Sequence, residues 1–228
     1  MHSLLTVTHP RGVMKLEPSP TTHCSTAWAT YAPTALDALT RTEREECAAL
    51  PSEPRRRDWL SGRVAAKRAI GRRFGIADPL RITLLHRALG APQCSDRVFG
   101  PLPVSISIAH ADDHAVAVAA GAGDRVGVDL EREGSIREAF VRLFAGREER
   151  RRSPFVDPTV RWVLKEAAWK AFGCAPDLPL SALALEFDAR RALCAVAIAG
   201  TRHTAFARTS HPWPGFVAAV VHATAEVM

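Results

Sequence analysis

The sequence predicts an α+β fold built from antiparallel sheets and packed helices. Apolar and polar residues alternate along 104–108, as in a β-strand with one buried face. Between 158 and 173 apolar residues instead recur at helical spacing. The two periodicities occur in blocks and do not alternate one by one along the chain, which favours α+β over α/β.

Composition limits the possible classes. The chain has 228 residues, of which 47% are hydrophobic and 24% charged, which suits one large globular domain or two small lobes. No apolar run approaches the roughly 18 residues of a membrane span, and the first 15 residues have no secretory core. The five cysteines form no Cys-x-x-Cys pair, so we expect reduced thiols, a cytoplasmic location and no zinc site.

The first half of the chain contains mostly helical patterns. Three prolines predict an irregular lead-in over 1–27. Thr40 and Glu43 have the spacing of a capping box. The remaining elements predicted here are helices over 34–50 and 55–74, a strand over 81–85 and a loop over 86–103.

The second half is richer in strands. Asp157-Pro158 predicts the start of a helix, and Gly173 predicts its end. The other elements predicted here are strands at 104–108, 116–118 and 126–131, a turn at 121–124, a helix over 135–152 interrupted at Gly146, and antiparallel strands at 182–187, 193–199, 203–208 and 215–222.

Two carboxylates share one face of the strand predicted at 126–131. Side chains alternate between the faces of a strand, so Asp129 and Glu131 point to the same side. Adjacent carboxylate oxygens suit a hard cation such as Mg²⁺.

The helix predicted after Asp157 adds a third carboxylate and a cation. Trp162, Glu166 and Lys170 are spaced i, i+4 and i+8, so they form one ridge. Carboxylates, Mg²⁺ and a lysine together suit phosphate chemistry, in which catalysis is mostly positioning and charge neutralisation. An exposed strand edge and an ordinary charged helix face are the alternatives that each motif allows when it is taken alone.

Together the two motifs resemble a known signature. Gly127-Val128-Asp129-x-Glu131, followed by Trp162-x-x-Lys165-Glu166-Ala167-x-x-Lys170, is similar to the signature pair of the Sfp-type 4'-phosphopantetheinyl transferases. Three further segments resemble the family's nucleotide-binding and pyrophosphate-binding segments: 55–67, 90–92 and 104–110. The resemblance runs from about residue 40 to 173.

The resemblance implies roles for individual residues. It implies that Asp129, Glu131 and Glu166 bind Mg²⁺, with Mn²⁺ equally possible, and that Glu166, Lys170 and Glu148 are catalytic. Glu148 ends the family-like Phe144-x-x-x-Glu148. Contacts to coenzyme A are implied for Arg55, Arg63, Gly90, Ala91, Pro92, Ala109, His110, Lys165 and Lys170. Ala109 stands where the family commonly has serine, so only its backbone can contact phosphate.

The resemblance also implies a reaction and an architecture. Phosphopantetheine would move from coenzyme A to a serine of an acyl or peptidyl carrier protein, releasing 3',5'-ADP. Coenzyme A is anionic and carrier proteins are usually acidic, which suits the net charge of +6. Two similar lobes in one monomer are implied, covering residues 1–123 and 124–228.

Two other classes of function stay open at this point. One is a metal-dependent enzyme acting on a different phosphorylated substrate. The other is a non-catalytic basic module, although no nucleic-acid-binding motif is visible. The sequence also leaves open the carrier protein, the tolerance for acylated coenzyme A, and whether Glu148, Glu166 or water accepts the serine proton.

Overall fold

A computed structural model confirms the predicted α+β class with antiparallel sheets and packed helices. The structure describes residues 24–85, 92–152, 156–173, 179–188, 193–198 and 200–224, together with the backbone of 6–9 and 12–15. The strands are β1 (Thr6–His9), β2 (Gly12–Lys15), β3 (Cys24–Thr30), β4 (Ile82–Leu85), β5 (Gln93–Asp96), β6 (Gly100–Pro101), β7 (Val104–Ala111), β8 (His114–Gly121), β9 (Arg125–Arg132), β10 (Leu183–Asp188), β11 (Leu193–Ile198), β12 (Thr201–Ser210) and β13 (Phe216–Ala223). The α-helices are α1 (Arg41–Ala48), α2 (Glu53–Phe74), α3 (Glu138–Phe144), α4 (Arg147–Arg152) and α5 (Pro158–Ala171).

The first lobe packs α2 against a three-stranded sheet of order β3-β8-β7. Alternate residues of β8 decide what lies on each face of this sheet. Ala115, Ala117 and Ala119 face the helix, whereas Val116 and Val118 face the second lobe. Small alanines on the helical side let α2 lie close to the sheet.

The second lobe repeats this arrangement with α5 and a five-stranded sheet of order β10-β11-β12-β13-β9. On β13, Val217, Ala219 and Val221 pack against α5, and Ala218 points to the first lobe. The two sheets therefore pack face to face, with one long helix outside each sheet.

Several predicted elements differ from those observed. The lead-in over 1–27 is not irregular throughout, because it contains β1, β2 and the start of β3. The loop predicted over 86–103 contains β5 and β6. Strands β1, β2, β5 and β6 are two to four residues long, too short for an alternation of polar and apolar residues to be recognised.

The helical predictions are closer to the structure. The helix expected over 34–50 begins as a 3₁₀ segment, Pro33–Ala38, and becomes α-helical only after Thr40. The capping box between Thr40 and Glu43 is present, as predicted. The interruption at Gly146 separates α3 from α4.

The chain passes from one sheet to the other in the turn between β8 and β9. The predicted division at residues 123 and 124 stays a prediction. No helix in the described part of the chain is both long and apolar enough to span a membrane. Four cysteines lie in the described ranges, Cys24, Cys47, Cys94 and Cys194, and all are free thiols.

Candidate active site

Strand β9 presents its acidic residues to helix α5. Val126, Val128 and Leu130 are buried in the core between the two sheets. The intervening residues, including Asp129 and Glu131, therefore point to the opposite face, where α5 lies. This confirms that the two carboxylates share one face of the strand.

Gly127 allows α5 to approach this face closely. A Cβ atom at this position would lie 1.8 Å from the carbonyl oxygen of Ala167 and 2.6 Å from the backbone nitrogen of Ala171. Only a residue without a side chain fits such a contact. The helix begins at Pro158, where the Asp157 carboxylate accepts hydrogen bonds from the first turn.

Lys170 lies between the acidic groups of the strand and the helix. Its Nζ donates to Asp129 Oδ1 at 2.7 Å and to the carbonyl oxygen of Val128 at 3.2 Å. Its distance to Glu166 Oε2 is 3.9 Å. The structure therefore brings together residues from both sequence motifs around one ammonium group.

Burial makes Asp129 an unusual carboxyl group. Its side chain is only 9% exposed, and desolvation raises its pKa to about 7, with Glu166 and Glu131 acting in the same direction. The Lys170 ammonium lowers this pKa but does not offset burial. Asp129 Oδ2 has no hydrogen-bond partner among the described residues.

Glu131 lies beside Asp129 but has different partners. Its carboxylate accepts a hydrogen bond at 3.4 Å from the Ser135 hydroxyl. Burial raises the pKa of Glu131, and the neighbouring Ser135 and Trp162 side chains act against the increase. Among the described residues no cation forms a direct ion pair with Glu131.

The structure places the Lys165 ammonium away from this cluster. Its Nζ contacts Glu149 Oε2 at 2.9 Å and the carbonyl oxygen of Leu183 at 2.5 Å, and the side chain is 0% exposed. Burial lowers the pKa of Lys165. The prediction that Lys165 contacts a pyrophosphate conflicts with this environment, because the ammonium has no exposed surface.

Glu148 also lies in an environment that its predicted role does not suit. It is exposed, and hydrogen bonds from Arg151 and Arg152 lower its pKa to about 2. A carboxylate stabilised in this way is a poor proton acceptor near neutral pH. The adjacent Glu149 is the buried member of the pair and bonds Lys165.

The two arginines predicted to bind a phosphate differ in exposure. Arg55 is exposed in the first turn of α2 and has no ion pair or hydrogen bond within the described ranges. The Arg63 side chain is 6% exposed, lies over the Trp59 ring and is 3.5 Å from Glu46 Oε2. Its Nε and Nη2 atoms lack hydrogen-bond partners among the described residues.

His110 is half exposed at the end of β7, and its Nδ1 lies 3.7 Å from Asp58 Oδ2 on α2. No hydrogen bond or ion pair between described residues links His110 or Arg63 to the acidic cluster. Ala109 is buried between the lobes, and Pro92 lies just before β5. Gly90 and Ala91 lie outside the described residues.

The acidic cluster has the donor chemistry for a divalent cation. The unpartnered, buried Asp129 Oδ2 and the mutual repulsion of three carboxylates are both relieved by added positive charge. Within the described part of the chain, no three His, Cys, Asp or Glu side chains are grouped closely enough to hold a metal as they stand. The residues fit the ion in kind, and their side chains would have to rotate to share it.

Two contacts near the site were missed by the sequence predictions. Glu149 could not be distinguished from Glu148, because neighbouring helical residues differ only in what packs against them. The Asp58 contact to His110 joins residues 52 positions apart and leaves no local signal.

A groove of about 700 Å³ lies on the first lobe between α2 and the 3₁₀ segment. Small residues such as Ala35 and Gly71 line it, together with Lys67, Arg68 and Arg72. None of the predicted site residues lines this groove, so the acidic cluster and the groove are separate features.

Comparison with known proteins finds a similarity in fold to solved structures but no match in sequence families. No protein-family model and no curated protein matches the chain. Among solved structures, the fold is similar to the crystal structure of holo-[acyl-carrier-protein] synthase (AcpS) from Thermotoga maritima, with 20% sequence identity and a TM-score of 0.32. The match covers 44% of this chain and 62% of the synthase, so it spans less than two thirds of that protein.

Proposed function

We propose that the protein transfers the 4'-phosphopantetheine group of coenzyme A to a serine of an acyl or peptidyl carrier protein. The observation that carries this proposal is the convergence of Asp129, Glu131 and Glu166 near Lys170. Close carboxylates repel one another and are costly to bury, so packing alone does not favour the arrangement. A function that needs positive charge at this place accounts for it.

The three carboxylates would hold Mg²⁺ or Mn²⁺. When bound, the ion would neutralise charge on a pyrophosphate and on the oxygen that leaves. Lys170 would add a positive charge on the same side. It suits this role because its side chain is 26% exposed, whereas that of Lys165 is fully buried.

Coenzyme A would be anchored on the first lobe. Arg63 Nε has no hydrogen-bond partner among the described residues, while its Nη2 is paired with Glu46 at 3.5 Å. Arg55, at the exposed start of α2, has no ion pair or hydrogen bond with a described residue. Guanidinium groups bind phosphate oxygens through paired hydrogen bonds, which suits the 3'-phosphate. His110, at the exposed end of β7, would contact the pyrophosphate.

The transfer itself would be an in-line displacement. The carrier serine oxygen forms a bond to the β-phosphorus as the bond from that phosphorus to the bridging oxygen breaks, and 3',5'-ADP leaves. The serine proton would pass to Glu166 or to water. Holding the serine in line with the leaving oxygen supplies much of the rate.

Intact-mass analysis of an apo carrier protein tests the proposal. We expect wild-type protein, coenzyme A and Mg²⁺ to add the mass of phosphopantetheine. Asp129→Ala should abolish the gain, and Asp37→Ala, which removes an exposed carboxylate on the first lobe, should leave it unchanged. Folded wild-type protein that modifies no acyl or peptidyl carrier would contradict the proposal and favour another phosphorylated substrate.

A further inference from the structure

The groove on the first lobe runs along one face of α2. Residues three and four apart form its helical wall, namely Val64, Lys67, Arg68, Gly71, Arg72 and Gly75. At a rise of about 1.5 Å per residue, this stripe is roughly 16 Å long. A volume of about 700 Å³ over that length gives a channel roughly 7 Å across, which is too narrow for a helix but wide enough for one extended chain.

The positive charge of the groove comes from Arg68 and Arg72. Both side chains are exposed, and neither forms an ion pair with a described residue. Lys67 contributes little, because its Nζ lies 2.5 Å from Glu43 Oε2 and its side chain is 1% exposed. No carboxylate of the described residues lines the groove, so a bound anion would meet positive charge that is not already neutralised.

Strand β3 holds the two guanidinium groups at a fixed spacing. In the described part of the chain, β3 is an edge strand that pairs with β8 alone. Arg68 Nη1 donates to the carbonyl oxygen of Trp28 at 2.9 Å, and Arg72 Nη1 donates to that of Thr26 at 2.8 Å. Residues two apart on a strand are separated by about 6.6 Å. The two guanidinium groups therefore lie at about that spacing, and each keeps further N–H donors.

We propose that this groove binds an extended acidic peptide segment with the pattern acid-x-acid. In an extended segment, side chains two residues apart point the same way at a separation of about 6.6 Å, which matches the spacing of Arg68 and Arg72. Each carboxylate would accept paired hydrogen bonds from one guanidinium group. The residue between the acids would face the small side chains of Ala35 and Ala38 on the opposite wall.

Other anionic ligands fit the groove less well. Single-stranded nucleic acids stack their bases on aromatic side chains, and no aromatic residue among those described lines the groove. The single carboxylate of a fatty acid would pair with one arginine and leave the other unpaired. The groove lies apart from the acidic cluster, so peptide binding there does not depend on the proposed transferase reaction.

Fluorescence anisotropy with a labelled pentapeptide, Ala-Glu-Val-Glu-Ala, tests the proposal. Five extended residues match the groove length of roughly 16 Å. We expect wild type to bind this peptide at least about tenfold more tightly than Ala-Gln-Val-Gln-Ala, which keeps the shape but lacks the charge. Binding should weaken as the salt concentration is raised.

Two threonine variants with the same change in net charge separate the groove from the general surface. Thr34→Glu adds a carboxylate at the exposed rim of the groove and should weaken binding about tenfold. Thr201→Glu adds one at an exposed position of β12 in the second lobe and should change affinity less than about twofold. Arg68→Gln/Arg72→Gln should abolish the preference for the acidic peptide. Thermal unfolding checks that this variant is folded, because both arginines also bond to β3.

The proposal would be overturned by a wild-type protein that does not bind the acidic peptide, by equal affinity for the two peptides, or by equal affinity of Thr34→Glu and Thr201→Glu for the acidic one. Displacement of the labelled peptide by a thymidine pentanucleotide or by sodium decanoate, at a lower concentration than by unlabelled peptide, would also overturn it. The first competitor would assign the groove to nucleic acid and the second to a fatty acid.

Discussion

Each of the two lobes contains a buried ion pair that joins its long helix to a short one. In the first lobe, Lys67 on α2 lies 2.5 Å from Glu43 on α1. In the second, Lys165 on α5 lies 2.9 Å from Glu149 on α4. Both lysines also donate to a backbone carbonyl just before or at the start of a β-hairpin, at Pro79 and Leu183.

The difference between the lobes lies further along the helix. Only α5 places a second lysine, Lys170, at a partly exposed carboxylate cluster facing β9. The buried pairs are therefore part of the architecture that both lobes use. Exposure and ion-pair partner, more than residue type, therefore distinguish a structural lysine from one available to a substrate.

The largest expected effect on stability comes from breaking a buried pair. Lys67→Met and Lys165→Met each remove the nearest cation from a buried glutamate, so each should lower the free energy of unfolding by about 3–5 kcal/mol. Arg161, 4.0 Å from Glu149, makes the loss in Lys165→Met the smaller of the two. Urea denaturation measures both. A loss below about 1 kcal/mol in one variant would show that the two pairs are not equivalent.

The next largest expected loss of stability is for alanine at Gly127, and it should exceed the loss for alanine at Gly62 in the other helix–sheet contact. Gly127→Ala places a methyl group 1.8 Å from the Ala167 carbonyl oxygen, so it should cost about 3 kcal/mol by moving α5 away from β9. Gly62→Ala meets only the Ile108 side chain, at 3.3 Å. There the clash and the gain in helix propensity should nearly cancel. Thermal unfolding of both variants checks this, and equal losses would contradict it.

A smaller effect is expected in how the stability of the metal-free protein depends on pH, because of Asp129 in the acidic cluster. The pKa of Asp129 is raised in the folded protein to about 7, so the folded state binds the proton more tightly than the unfolded state does. Its contribution to stability is full below the ordinary carboxyl pKa and is lost as pH rises towards 7. Between pH 5 and 7, the free energy of unfolding of wild type should therefore fall by about 2 kcal/mol more than that of Asp129→Asn. Parallel pH profiles of stability in the absence of divalent ions would contradict this.

The smallest effect on stability is expected for Lys170→Met. Without the ammonium, Asp129 can take up a proton near neutral pH, so the fold should lose about 1 kcal/mol or less. Phosphopantetheine transfer should nevertheless fall at least about 100-fold if, as proposed, the lost charge acts on the reacting phosphate. A stability loss as large as that of Lys165→Met would place Lys170 among the structural lysines.

Local patterns predicted much of the fold and part of the site. The start of α5 at Asp157-Pro158, its apolar stripe and the shared face of Asp129 and Glu131 all follow from short-range periodicity, and the structure has them. The partner of Lys165 does not follow, because it depends on how α4 packs against α5. The partners of Glu148 are local, since Arg151 and Arg152 stand at i+3 and i+4 in the same helix. Strands β5 and β6 were missed because they are only four and two residues long, too short for an alternation of polar and apolar residues to be recognised.

One comparison of variants tests most directly the claim that Lys170 serves the reaction while Lys165 serves the fold. The double variant Lys165→Met/Glu149→Leu replaces the buried ion pair with apolar side chains. Arg161 loses its contact to Glu149 in this variant, so the folding of the variant is measured by urea denaturation before transfer is assayed. Single-turnover transfer to a carrier protein should stay within about tenfold of wild type in this variant and fall at least about 100-fold in Lys170→Met. A folded double variant that has lost transfer, beside a Lys170→Met variant that keeps it, would contradict the account.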